Sequence, residues 1–130
     1  MKIVIDYPPN IAEIQRVCKP DKYTVYTYGN VLYNPGAWPL SDDLIEHEKV
    51  HSKQQGVAPL TWWNIYLDDP KFRFQQELQA YRFQYKFYAK THNRTQKRLF
   101  LKNKAKALSG SIYGKIADFE TAKNMIQWGV

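Results

Sequence analysis

The stretch that most constrains this chain runs from Ser41 to Gly56, S-D-D-L-I-E-H-E-K-V-H-S-K-Q-Q-G. It predicts one amphipathic helix. Ser41 suits the N-cap, Asp42 and Asp43 fall in the first turn where the helix dipole favours anions, and Gly56 suits the exit. Within it, His47-Glu48-Lys49-Val50-His51 is an H-E-x-x-H arrangement. Residues four apart share a helix face, with Cβ atoms roughly 5–6 Å apart. His47 and His51 can therefore bring two imidazole nitrogens to one ion at about 2.0–2.1 Å each. At about 3.6 residues per turn, Glu48 is rotated about 100° from His47 and about 60° from His51. It flanks a metal instead of joining its ligands, the position of a group that takes a proton from water. With 3 histidines in the chain, chance placement in this pattern is on the order of one in several hundred. The expectation is a zinc site with Glu48 as base.

Catalytic zinc takes three protein ligands and leaves the fourth position to water. The available third ligands are His92 and the acids after His51. Asp68 and Asp69 suit a turn and cap before Pro70, and Asp118 and Glu120 suit the start of a last helix. Glu77 is different. Asp69-Pro70 predicts a long helix through about Lys90, with Phe74, Leu78, Tyr81, Tyr85 and Tyr88 as its apolar stripe. Glu77 borders that stripe. Its two roles are a zinc ligand, which is favoured, and an i,i+4 ion pair with Arg73 worth only about a few tenths of a kcal/mol.

The rest of the chain predicts an α+β fold in a single domain over residues 1–130. Lys2–Tyr7 reads as a strand closed by Pro8-Pro9. Asn10 and Glu13 form a capping-box pattern for a short helix with Ile11, Ile14 and Cys18 inward, ended by Pro20. Tyr23–Tyr28 and Val31–Tyr33 alternate in the β manner around Gly29-Asn30, a two-residue hairpin connection, so a three-stranded sheet is expected. Leu60–Leu67 predicts a helical turn or two. Phe83 and Phe87 lie outside the long helix's stripe and call for a covering element. Thr95–Leu108 predicts a helix with basic outer positions, Ser111–Gly114 a loop, and Asp118–Gln127 a last helix.

Composition narrows the function classes. Hydrophobic residues at 44% exclude a disordered chain. Cys18 is the single cysteine, so neither an intrachain disulfide nor a thiolate zinc cluster can form. The run Ile3-Val4-Ile5 stops at Asp6, too short for a signal peptide, and no stretch approaches a membrane span, so a cytoplasmic location is expected. The net charge is +7, yet between Leu78 and Ala117 no residue is acidic while Arg94, Lys97, Arg98 and Lys102 are among the bases. Such a face is either plain solvated surface or an attractor of nucleic acid or an acidic partner.

His47, His51 and Glu77, with Glu77-Leu78-Gln79-Ala80-Tyr81 as an E-x-x-A/D segment, resemble the gluzincin zinc metallopeptidases. In scale the chain is similar to the minigluzincins and to short H-E-x-x-H proteins of phage and bacteria. The resemblance covers Tyr23 to about Tyr88. It implies a zincin-like (minigluzincin-like) fold with an active-site helix, a glutamate helix and C-terminal helices. It further implies a peptide or protein substrate, zinc held by His47, His51 and Glu77, and Glu48 as general base. Gly29, Asn30, Val31, Leu32 and Tyr33 would be the edge strand that pairs with an extended substrate. A transition-state donor, often Tyr or His in such enzymes, would be Tyr113, whose other role is a core tyrosine. One position departs from the pattern: Lys49 is charged where the family is usually uncharged. It points about 160° away from His51, which spares ligation. The alternative is a catalytically inactive, zinc-stabilised module that binds nucleic acid or an acidic partner through its basic C-terminal half.

Overall fold

Lys2–Val4 (β1), Tyr26–Tyr28 (β2) and Val31–Tyr33 (β3) form a mixed sheet in the order β1-β3-β2 in the computed structural model, which describes residues 1–129. With six helices among the described residues, the chain is α+β. It divides into two compact units, Met1–Asp69 and Pro70–Val130.

In the first unit β2 and β3 make the expected hairpin, with Tyr28 opposite Val31. Gly29 takes φ 62°, the positive value that the first residue of a Gly-X loop requires. β1 pairs with β3 in parallel, Lys2 opposite Val31 and Val4 opposite Tyr33. The strands are shorter than Lys2–Tyr7 and Tyr23–Tyr28 suggest because β3 ends at Tyr33 and offers no ladder beyond it. Asn34 instead turns the chain: its side chain donates to the Trp38 carbonyl (2.9 Å) and accepts from the Trp38 N–H (3.3 Å).

The first helix, α1 (Ile11–Val17), lacks the capping box that Asn10 and Glu13 suggest. Asn10 has φ −103° and ψ 26° instead of the extended backbone of an N-cap, and its buried amide finds no protein partner. An ordered water is the expected partner there. α2 (Asp42–Gln55) is the H-E-x-x-H helix. Ser41 has the extended backbone of an N-cap but makes no side-chain bond, and Gly56 closes the helix at φ 56°. Leu60–Leu67 belongs to a full helix, α3 (Pro59–Asp68), with Pro59 in its first turn. Trp62, Trp63 and Tyr66 are its buried residues, with Trp62 and Tyr66 stacked at 4.8 Å. α3 packs on both α1 and α2, and α2 also packs on β2.

The second unit is helical: α4 (Pro70–Ala89), α5 (Arg94–Leu108), a 3-10 turn at Ser111–Tyr113 where a loop was expected, and α6 (Phe119–Trp128). Its core joins Phe74, Leu78, Leu101, Leu108 and Ile126. Tyr81 and Tyr85 of the predicted stripe pack against it. Tyr88 stacks on Phe100 with ring centroids 4.5 Å apart. Phe83 is not covered as expected and remains 48% exposed. Asn93 caps α5 with a complete capping box to Gln96, so the helix starts at Arg94, one residue before the predicted Thr95. Asp118 caps α6 by accepting the Thr121 N–H at 2.8 Å, which holds its carboxyl below the usual range. No helix among the described residues is long and apolar enough to cross a membrane.

Candidate metal centre

The buried positions of α2 are His47, Glu48, His51 and Gln55, all polar. Taking such groups out of water without partners costs about 1–3 kcal/mol each, so each needs a partner in the fold. Gln55 has two: its Nε2 donates to the Thr27 carbonyl (2.8 Å) and its Oε1 accepts the Gly29 N–H (2.6 Å). Trp63 Nε1 donates to the same Thr27 carbonyl at 2.9 Å. These bonds pin α2 and α3 to β2. Thr27, itself buried, places its hydroxyl 3.3 Å from Glu48 Oε1 and 3.4 Å from the Glu48 carbonyl oxygen, within donating distance of either. The carboxylate of Glu48 is thereby held in place.

His47 and His51 meet as the helical spacing requires. Their Nε2 atoms are 3.2 Å apart. Two ligands at about 2.0–2.1 Å from a tetrahedral zinc are separated by about 3.3 Å, so the pair has the spacing of a metal-binding pair. His51 Nδ1 lies 2.8 Å from Gln54 Oε1. An amide oxygen only accepts, so Nδ1 carries the proton and Nε2 is left bare for a metal. The His51 ring also lies against Trp62, centroids 5.4 Å apart, which fixes its plane. Glu48 Oε2 is 3.8 Å from His47 Nε2, beside the converging nitrogens. Lys49 is exposed as its helical phase predicts and pairs with Glu46 at 3.2 Å, leaving the buried face uncharged by it.

Glu77 lies on α4 and is buried, as is Arg73 one turn before it, whose Nε donates to the Ile112 carbonyl (2.8 Å). Among the described residues, His47, His51 and Glu77 are a buried group that could hold a metal ion, their ligand atoms all within 4.8 Å of one another. The donor set, two imidazoles and one carboxylate, suits zinc. His92, the other third-ligand candidate, is outside this group; its Nδ1 lies 2.7 Å from the Tyr88 carbonyl and its ring stacks on Tyr88 at 3.5 Å.

Two expectations change. Val31–Tyr33 is not an edge strand: β3 is central, paired with β1 on one side and β2 on the other. Its backbone groups are already used, so Gly29, Asn30, Val31, Leu32 and Tyr33 cannot add a substrate strand. Tyr113 sits in the 3-10 turn with its ring packed against the core of the second unit, the core role that competed with a catalytic one. Three residues absent from the sequence reading emerge as supports: Thr27, Gln54 and Gln55. Gln54 follows His51 by three, a helical neighbour that spacing alone points to. Nothing local marks Thr27.

Compared with known proteins, the chain matches no family model, no curated protein and no solved structure.

Proposed function

We propose that this chain is a zinc-dependent, gluzincin-like peptidase of zincin-like fold, with His47, His51 and Glu77 as the metal ligands and Glu48 as general base. The observation that carries the proposal is the 3.2 Å approach of the two Nε2 atoms, with a bare nitrogen on His51 set by Gln54. The buried carboxylate of Glu77 brings the count to three protein ligands, the number a catalytic zinc site uses. When bound, zinc would polarise a carbonyl and bring a water's pKa toward about 7.

Glu48 has one carboxylate oxygen near the Thr27 hydroxyl and the other beside His47, which divides its work. Oε1 is anchored by Thr27; Oε2 is the atom that takes the proton of the attacking water and hands it to the leaving amine. A positioned general base of this kind contributes roughly 10²–10⁴ in rate. Gln54 and Trp62 hold the His51 ring, so the site is set up before a substrate arrives.

Metal analysis of protein purified without chelators, paired with Glu48→Gln, tests the proposal. About one zinc per chain is expected in both proteins, with peptide-library cleavage reduced about 10²–10⁴-fold in the variant. Zinc retained with no Glu48-dependent cleavage would leave a metal-binding protein and sink the peptidase assignment. A metal-free protein would sink the ligand assignment too, and reduce the His47–His51 approach to an N–H···N bond.

A further inference from the structure

We infer that the second unit carries a pocket for a phosphate ester, built from residues that the metal-site proposal does not use. A cavity of about 280 Å³ is lined by Arg94, Lys97 and Arg98 of α5, Lys123 and Gln127 of α6, and Tyr85 of α4. Leu101 completes its wall.

The cations are not explained by the fold around them. Arg94, Lys97 and Arg98 fall at i, i+3 and i+4, so they crowd one face of the first two turns of α5. Like charges at these spacings cost helix stability, and local stability therefore gives no reason for them. From Leu78 to Ala117 the chain has no acidic residue to balance them. Lys123 does have a partner, Glu120 Oε2 at 3.3 Å, but that glutamate is 70% exposed and a pair so placed is readily exchanged for a ligand. The pocket is also at the N-terminal end of α5, where the helix dipole adds to the positive potential.

Chemistry narrows the ligand. Three to four cations in one cavity exceed what a single carboxylate needs and suit a phosphate, which a guanidinium grips through two parallel N–H bonds. Tyr85 and Leu101 give one apolar wall, and the Gln127 amide offers both a donor and an acceptor. That combination takes an apolar ring carrying phosphate, a nucleotide unit. Arg98, Lys102 and Lys106 follow one another at four-residue steps along α5, and all three are exposed. The row continues the positive potential beyond the pocket for roughly 12 Å at 1.5 Å per residue. The phosphate can thus come from a free nucleotide or from a strand of nucleic acid.

Binding of a fluorescein-labelled, mixed-sequence single-stranded 12-mer DNA, of ATP and of inorganic pyrophosphate to the full chain tests this. The pocket variant is Lys97→Gln with Arg98→Gln; the charge-matched control is Lys86→Gln with Lys115→Gln, exposed positions outside the pocket. Three phosphate contacts on a single strand predict a log–log salt slope of about −2, or about 20-fold weaker binding from 50 to 200 mM salt. The pocket variant should flatten that slope by about 1.4 and lose at least about tenfold in affinity, while the control loses less than about threefold. Binding of the 12-mer with that variant pattern, and none of ATP or pyrophosphate, identifies a strand. Saturable ATP or pyrophosphate binding with the same pattern identifies a free nucleotide. No binding of any probe at 50 mM salt, or equal losses in the two variants, overturns the pocket. Glu48→Gln should leave all of these binding results unchanged.

Discussion

Gln54 offers the sharpest test of the proposed metal centre. Its Oε1 accepts the Nδ1–H of His51 at 2.8 Å, a bond that selects the tautomer with Nε2 bare. Gln54→Ala removes that acceptor and lets the proton move to Nε2, the atom that the proposal assigns to the metal. A hydrogen bond to a group that becomes charged on ligation is worth about 1.5–3 kcal/mol. Loss of such an orienting partner typically weakens metal binding about 10–100-fold, which is about 1.4–2.7 kcal/mol and agrees with that range. The assay is competition for zinc against a chromophoric chelator at pH 7.5, with circular dichroism to show that the helices persist. Gln54→Glu supplies the control, since a carboxylate is an equal or better acceptor for Nδ1–H and should bind zinc at least as tightly as the parent. An Ala variant that is folded and binds zinc normally would refute the tautomer argument. So would a Glu variant as weak as the Ala variant.

Other consequences follow from the same side chains. Gln55→Ala strips the Gly29 N–H of its acceptor and the Thr27 carbonyl of one of two donors, so a loss of about 2–3 kcal/mol in urea unfolding is expected. Burial, helped by Tyr7, Asp21 and Cys18, pushes the Tyr26 phenol above its ordinary value of 10.0. The fold thus favours the neutral phenol: its contribution is complete below the ordinary value and is lost as pH rises through the folded one. Stability should begin to fall as pH passes the ordinary phenol value of 10.0 and go on falling until the folded phenol has ionised, and Tyr26→Phe should lessen that fall. Zinc at about 100 times its Kd should raise stability by about 2.7 kcal/mol, read as a higher Tm, and His47→Ala should abolish the shift.

Much of this molecule is written in local pattern. The H-E-x-x-H phase, the Gly29-Asn30 loop and the long helix after Pro70 depend on spacing within one element, and each is found where the sequence puts it. Glu77 stood out as a carboxylate at the margin of an apolar stripe, and it is buried in a group with His47 and His51 that could hold a metal ion. Non-local pairing was not legible. Val31–Tyr33 became the middle strand because β1 joins it in parallel, and no local signal says which side a strand will find occupied. Asn10 and Glu13 have the letters of a capping box, but the backbone of Asn10 adopts a conformation that cannot use them. Conversely, Asn93 and Gln96 form a complete box that starts the helix at Arg94, one residue before the predicted Thr95.

The sheet's two edges differ in a way that bears on self-association. At β2 the Thr27 carbonyl accepts from both Gln55 and Trp63, so that strand has little left to offer a neighbouring chain. β1 is the other edge strand, and apolar side chains are exposed along it: Ile3 is 47% exposed and Ile5, just past its end at Val4, 73%. An edge strand with exposed apolar side chains is where chains add to one another into aggregates, and native sequences often guard it with lysine. Lys2 guards one end here. Ile5→Lys would guard the other, and it should raise the concentration at which the protein stays monodisperse in light scattering without changing its zinc content.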